Sequence, residues 1–220
     1  MLPLKTFSII GEEKLGNEEY RKIIDAQSSI YDQKRVERYF TITSRIFKKL
    51  IPKGSSVIEI GSGTGRYVID FGKNGRHAVG IDYSKKMIEA ARKNAKKESI
   101  DCRFILADAE KNIIINETFD FALLIGNWEY FNNPVAVLEN VKKILKPNGT
   151  IIISTLNIYS WPLIYFLEKT GIKKLSPAFW HFNSIPSRLK KYAKKAGYKI
   201  SKIFFSFYFI DKIYILTRIR

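Results

Sequence analysis

Cysteine is almost missing from this chain. Cys102 stands alone, so no intrachain disulfide can form, and a reducing cytoplasm is the expected setting. Also missing is any apolar run near the roughly 18–20 residues that cross a bilayer. The N-terminus lacks the apolar core of a secretory signal, so a soluble protein without a transmembrane segment is expected. No internal repeat or low-complexity stretch occurs. Acidic residues are scarce: 21 Asp and Glu face 38 Lys and Arg, a formal net charge of +17. Such an excess attracts anions, whether nucleic acid, an anionic substrate or an acidic membrane surface. The lysines are widely spread, which fits a compositional origin, a lysine-rich genome or a hot habitat, ahead of a functional one. With 220 residues, 45% hydrophobic and 27% charged, the chain suits one substantial α/β domain, with no second full domain.

What is present is organised around Ser56-Val57-Ile58-Glu59-Ile60-Gly61-Ser62-Gly63-Thr64-Gly65-Arg66. An apolar strand running into glycines marks a sharp turn where backbone comes very close to something. A helix starting just after it adds unpaired amides and the positive dipole end. The result is a nucleotide-type cradle at the carboxyl end of a strand, where open α/β sheets bind ligands. A dinucleotide fingerprint would need its third glycine at Arg66, and fails there. The pattern E-x-G-x-G-x-G resembles motif I of the class I S-adenosylmethionine-dependent methyltransferases.

Helical spacing follows Asn17-Glu18-Glu19, and a longer helix is expected from Asp32 to Leu50, with Tyr39, Phe40, Thr43 and Phe47 on one face. Residues 1–50 therefore read as an N-terminal helical cap over a domain of residues 51–220. After the glycine turn come a short helix Tyr67–Lys73, a strand Ala78–Ile81 closing on Asp82, and a helix from Ser84 to about Lys97 that buries Met87, Ile88, Ala91 and Ala95. Strands Cys102–Leu106 and Phe119–Ile125, a helix Pro134–Leu145, a turn Pro147-Asn148-Gly149 and a strand Thr150–Thr155 continue the alternation. That order implies a parallel sheet with right-handed crossovers. Tyr198–Phe207 and Lys212–Arg220 are too close for anything but a hairpin, so one strand runs antiparallel. Residues 157–183, rich in aromatics, read as an inserted cap beside the sheet's carboxyl edge.

The strand ends place Gly61, Gly63, Gly65, Asp82, Asp108 and Gly126 along one crevice. Asp82 lies 21 residues after Gly61, the interval for a carboxylate that accepts from ribose hydroxyls; it could equally cap the helix after Ser84. Beyond the first motif, V-G-I-D-Y-S, I-L-A-D-A-E, F-D-F-A-L-L-I-G-N-W-E-Y-F and L-K-P-N-G-T-I-I-I-S follow in order, and over about residues 50–156 they resemble the successive motifs of the same family. The resemblance implies a Rossmann-like seven-stranded sheet, order 3-2-1-4-5-7-6 with strand 7 antiparallel and helices on both faces. It also implies S-adenosylmethionine as cofactor, S-adenosylhomocysteine as product and no metal. By matching position, Gly61, Ser62 and Gly63 would pass the methionine part, with Glu59 fixing the turn and reaching the amine through water. Asp82 would hold the ribose, Tyr83 and Met87 would flank the adenine unless they simply pack, and Asp108 with Ala109 would read the adenine edge. Gly126 would offer a carbonyl to the amine. Tyr31, with Arg38 as a substitute, resembles cap residues that reach the carboxylate.

A sulfonium methyl is already activated, so no dedicated nucleophile is expected. His181 would serve as base for a hydroxyl acceptor unless it is merely packed, and Trp128, Glu129 and Tyr130 should face the acceptor, with Tyr130 the second catalytic candidate. The expected partner is a small-molecule, apolar or anionic acceptor methylated on O, N or C, and the protein a monomer or homodimer. The net charge keeps RNA or protein methylation as an alternative. Against it, no N/D-P-P-Y turn ends strand four, and Cys102 opens strand three at the wrong end of the sheet. The run Arg188–Lys195 reads as a solvated amphipathic helix. Outside enzymes, the alternative is a module that binds or has lost the cofactor and acts through partners.

Overall fold

A computed structural model describes residues 37–157, 159, 182–206 and 211–219. The expected helical segments before residue 37, most of the aromatic insertion (158 and 160–181), Tyr31 and His181 lie outside the described residues. In chain order the elements are α1 (Glu37–Leu50), β1 (Ser56–Ile60), α2 (Arg66–Lys73), β2 (His77–Asp82), α3 (Lys85–Lys97), β3 (Arg103–Leu106) and β4 (Phe119–Ile125). A 3-10 turn (Trp128–Tyr130), α4 (Pro134–Ile144), β5 (Leu145–Leu156), a second 3-10 turn (Phe182–Ser184), α5 (Pro186–Lys195), β6 (Tyr198–Ser206) and β7 (Asp211–Arg218) complete it.

The strands form one sheet in the order β3-β2-β1-β4-β5-β7-β6. Pairing is parallel from β3 to β5, and β7 runs antiparallel between β5 and β6. Each strand alternates its side chains between two cores. Ile58, Ile60, Ala122, Leu124, Ile151 and Ile153 pack with α4 and α5, and Val57, Leu123, Ile125 and Ile152 with α1, α2 and α3. Helices on both faces explain why these strands read as continuous apolar runs. In α3 the buried residues are Met87, Ile88, Ala91 and Ala95, capped by Ser84 accepting from the Met87 amide.

One expectation needs correction. β5 does not begin at Thr150 after a free-standing turn. Leu145 already pairs with Phe119, and the register then jumps so that Phe121 pairs with Thr150, leaving Pro147-Asn148-Gly149 in an irregularity of one long strand. Side chains hold the start of this step. Lys146 reaches Asp120 at 2.8 Å, and Arg218 donates to the carbonyls of Lys142 and Leu145.

Candidate functional site

The carboxyl edge of the sheet gathers the polar groups that the strand ends deliver. Between β1 and α2, Gly61, Gly63 and Gly65 take φ of +70, +53 and +82, and the turn folds back so that the Ser62 amide donates to Ile81 at 2.8 Å. At Gly61 a Cβ would run into the Asn127 amide, which donates to the carbonyls of Ile60 and Gly61. Gly80, opposite Glu59 on β2, is small because the Ser62 hydroxyl sits 2.6 Å from where its Cβ would be. That hydroxyl, 5% exposed as a residue, has no hydrogen-bond partner among the described residues.

Asp82 is 6% exposed. One carboxylate oxygen accepts from the Gly63 amide at 2.8 Å and the other from the Ser84 amide at 2.9 Å. It thus ties the glycine turn to the start of α3, while Ser84 itself caps the helix. A carboxylate has about four acceptor sites, so this local role is compatible with ligand binding. Glu59, 3% exposed, lies on the neighbouring strand β1, two residues before Gly61. At the end of β3, Asp108 accepts from the Glu110 amide at 3.0 Å, and the Ala109 carbonyl accepts from Asn140 at 3.1 Å. Gly126 is exposed, and its amide donates to the Ser154 carbonyl at 2.9 Å. So Glu59, Gly61, Ser62, Gly63, Asp82, Asp108, Ala109 and Gly126 come together along one edge. Tyr83 is half-buried next to Asp82, Met87 is enclosed at 1% exposure, and Arg38 is exposed in the first turn of α1.

Past β4, Tyr130 is half-buried, its amide bonded to the Asn127 carbonyl at 3.1 Å. Trp128 departs from expectation. It is fully buried, its indole N–H donates to the Asn183 carbonyl at 2.9 Å, and its ring meets Phe131 and Tyr192. A large ring in a short turn directly above a core is drawn inward once its one donor finds a buried carbonyl. Glu129 has a role that its sequence position did not signal. One oxygen accepts from Thr155, from the Leu156 amide at 2.9 Å and from Ser184 at 3.0 Å, clamping the end of β5 to the second 3-10 turn. Asn127, the wall of the glycine turn, was also missed; an amide directly after Gly126, at the end of β4, was its only signal. Burial and the nearby Asp101 push the Cys102 thiol up to about 11, which favours its less reactive protonated form near neutral pH.

A family model described as a methyltransferase domain matches residues 51–197. An uncharacterized protein of Methanocaldococcus jannaschii is 31% identical over 169 residues, 76% of this chain and 62% of that protein. A ubiquinone biosynthesis O-methyltransferase of Aliivibrio fischeri is 30% identical over 105 residues, 47% of this chain and 45% of that protein. The chain thus spans about three-fifths of the first relative and under half of the second. The crystal structure of a SAM-dependent methyltransferase from Aquifex aeolicus superposes with a TM-score of 0.70 at 16% identity, covering 87% of this chain and 98% of that one.

Proposed function

The chain belongs to the class I methyltransferase family, and on that premise we propose that it transfers a methyl group from S-adenosylmethionine to O, N or C of a small, lipid-like or anionic acceptor. The observation that carries this reading is the cradle at the end of β1. Three left-handed glycines, a Gly61 with no room for a side chain, the buried Ser62 hydroxyl that has no partner among the described residues and the Asp82 carboxylate bonded into the same turn fit a nucleoside with a charged tail. Bound there, the cofactor supplies a methyl already activated as a sulfonium. The residues of this chain then have to hold it, exclude water and align an acceptor in line with the breaking bond. In this reading Asp82 receives the ribose, Asp108 and Ala109 the adenine edge, and Gly126 and Glu59 the amine. The part similarity to a ubiquinone O-methyltransferase supports a small-molecule acceptor.

Calorimetric titration of S-adenosylmethionine tests the donor assignment. Asp82→Ala is expected to weaken binding about tenfold, the scale of a charge-assisted hydrogen bond. Unchanged affinity would sink the ribose role. Methyl transfer from labelled cofactor to a metabolite extract tests the acceptor class, and labelling confined to RNA or protein would replace it. Cofactor binding with no transfer to any pool would favour the non-enzymatic module.

A further inference from the structure

Beyond Gly126 the carboxyl edge carries a second polar cluster that the donor cradle does not use. Ser154 on β5 pairs with Ile213 on β7, Ser206 on β6 pairs with Asp211, and Asp211 is two residues from Ile213. All three therefore share one sheet face, the face of Ile152, Ile213 and Ile215 that packs toward α1 and α2. The residues are 1%, 4% and 8% exposed for Ser154, Ser206 and Asp211. Three buried polar side chains side by side at a strand end are not what a core selects, since each loses water without gaining apolar contact.

Tyr39, in the first turn of α1, covers this cluster. Its phenol bonds to Asp211, and burial followed by the charge of Asp211 pushes its pKa well above the ordinary range, so it stays protonated and donates. The Ser154 hydroxyl also acts on the phenol, whereas the Ser206 hydroxyl, beside Asp211, has no hydrogen-bond partner among the described residues. Nearly all buried hydroxyls in folded proteins are partnered, by protein, water or ligand. Location suggests which applies here. The Ser154 carbonyl accepts from the Gly126 amide, so the cluster starts one strand, about 4.8 Å, beyond the turn assigned to the donor.

We propose that Ser154, Ser206 and Asp211, roofed by Tyr39, form a subsite for a hydroxyl group of the methyl acceptor, which makes the substrate a hydroxylated small molecule. This rests on the methyltransferase reading. Asp211 accepts from the incoming hydroxyl, and the two serines can each give or take a further hydrogen bond. A purely structural cluster, one that only pins α1 to the sheet, would not distinguish a hydroxyl from its methyl ether.

The test is titration of phenol and of anisole, which differ in one donor, into the protein saturated with S-adenosylhomocysteine. Phenol is expected to bind about tenfold more tightly than anisole, the scale of a hydrogen bond to a charged group. Asp211→Asn and Ser206→Ala should each bring that ratio toward one with S-adenosylhomocysteine affinity unchanged. If Asp211→Asn fails to fold, Ser206→Ala alone decides, because removing one hydroxyl leaves the packing intact. Equal binding of the two probes by the wild type, absence of binding by either, or a ratio preserved in the variants would overturn the subsite. Failure of S-adenosylhomocysteine to bind is a separate result: it would overturn the donor reading, and the phenol-to-anisole ratio without it would still decide the subsite.

Discussion

At residue 61 the backbone is left-handed, with φ +70, and a Cβ would displace the Asn127 amide from the carbonyls it holds. Gly61→Ala therefore costs about 1–2 kcal/mol for the backbone and about 1 kcal/mol for each disturbed hydrogen bond. The expected outcome is a lower unfolding midpoint together with at least tenfold weaker S-adenosylhomocysteine binding by calorimetry. Loss of stability with intact affinity would detach the turn from the ligand. Cys102 gives a second residue-scale prediction. With its thiol held near 11, its thiolate is scarce at pH 8. Iodoacetamide should label the native protein about two orders of magnitude more slowly than an unperturbed thiol, and mass spectrometry of the single cysteine reads this directly. Much of the proposed donor cradle was legible because its chemistry is consecutive in the chain: the glycines and Glu59 announce a turn by themselves, and Asp82 closes the next strand. Trp128 was not legible, since an aromatic after a strand end reads the same whether it turns to the crevice or to the core.

Among the elements, α1 is fastened by polar contacts as well as by packing. Thr43 and the Tyr67 hydroxyl are 2.7 Å apart, Ser44 donates to Asp70, and Lys48 pairs with Asp70 at 3.1 Å. Phe40 and Phe47 flank the Tyr67 ring at 5.0 and 5.7 Å. Its carboxyl end is closed by Arg76, 7% exposed, which donates to the carbonyls of Lys48 at 2.9 Å and Ile51 at 3.1 Å. Burial lowers the Arg76 pKa, partly offset by Asp70. Arg76→Met keeps the apolar stem but strands two carbonyls of a helix end, so a destabilisation of about 2–4 kcal/mol is expected, measured by urea unfolding. A loss below about 0.5 kcal/mol would mean that packing alone holds α1. The helix itself was legible from its apolar face and from the Pro52-Lys53-Gly54 stop. Arg76 was not, because it serves α1 from the turn before β2. The pairing of Ser206 with Asp211 was hidden for a related reason. β6 slips by one residue between Ile200 and Lys202, and that bulge exchanges the faces of everything after it. Read by simple alternation from Tyr198, Ser206 falls on the wrong side of the sheet.

For the whole molecule the outstanding quantity is the charge of +17. Two like charges about 20 Å apart in water repel by about 0.2 kcal/mol, and the number of such pairs grows as the square of the net charge. Opposing this are ion pairs such as Lys146–Asp120 and Arg103–Glu117. These are partly exposed, and such pairs are worth only about 0.2–1 kcal/mol each. Salt screens both contributions beyond a Debye length of about 10 Å at 0.1 M. The ion pairs act within a few ångströms and keep most of their strength, whereas the distributed repulsion acts over the whole surface and is lost. Folding should therefore be stabilised by salt, with the unfolding midpoint rising between about 20 and 300 mM sodium chloride. Reversing lysines on the exposed face of α5, as in Lys190→Glu with Lys194→Glu, should raise the low-salt midpoint and flatten that dependence. A midpoint that falls with added salt would mean that the local pairs outweigh the net charge. The same variant separates the two origins of the charge. A surface basic by composition loses nothing in catalysis when α5 is reversed. An RNA-methylating enzyme that docks through this face would lose RNA binding, and the steep salt dependence of that binding, at once.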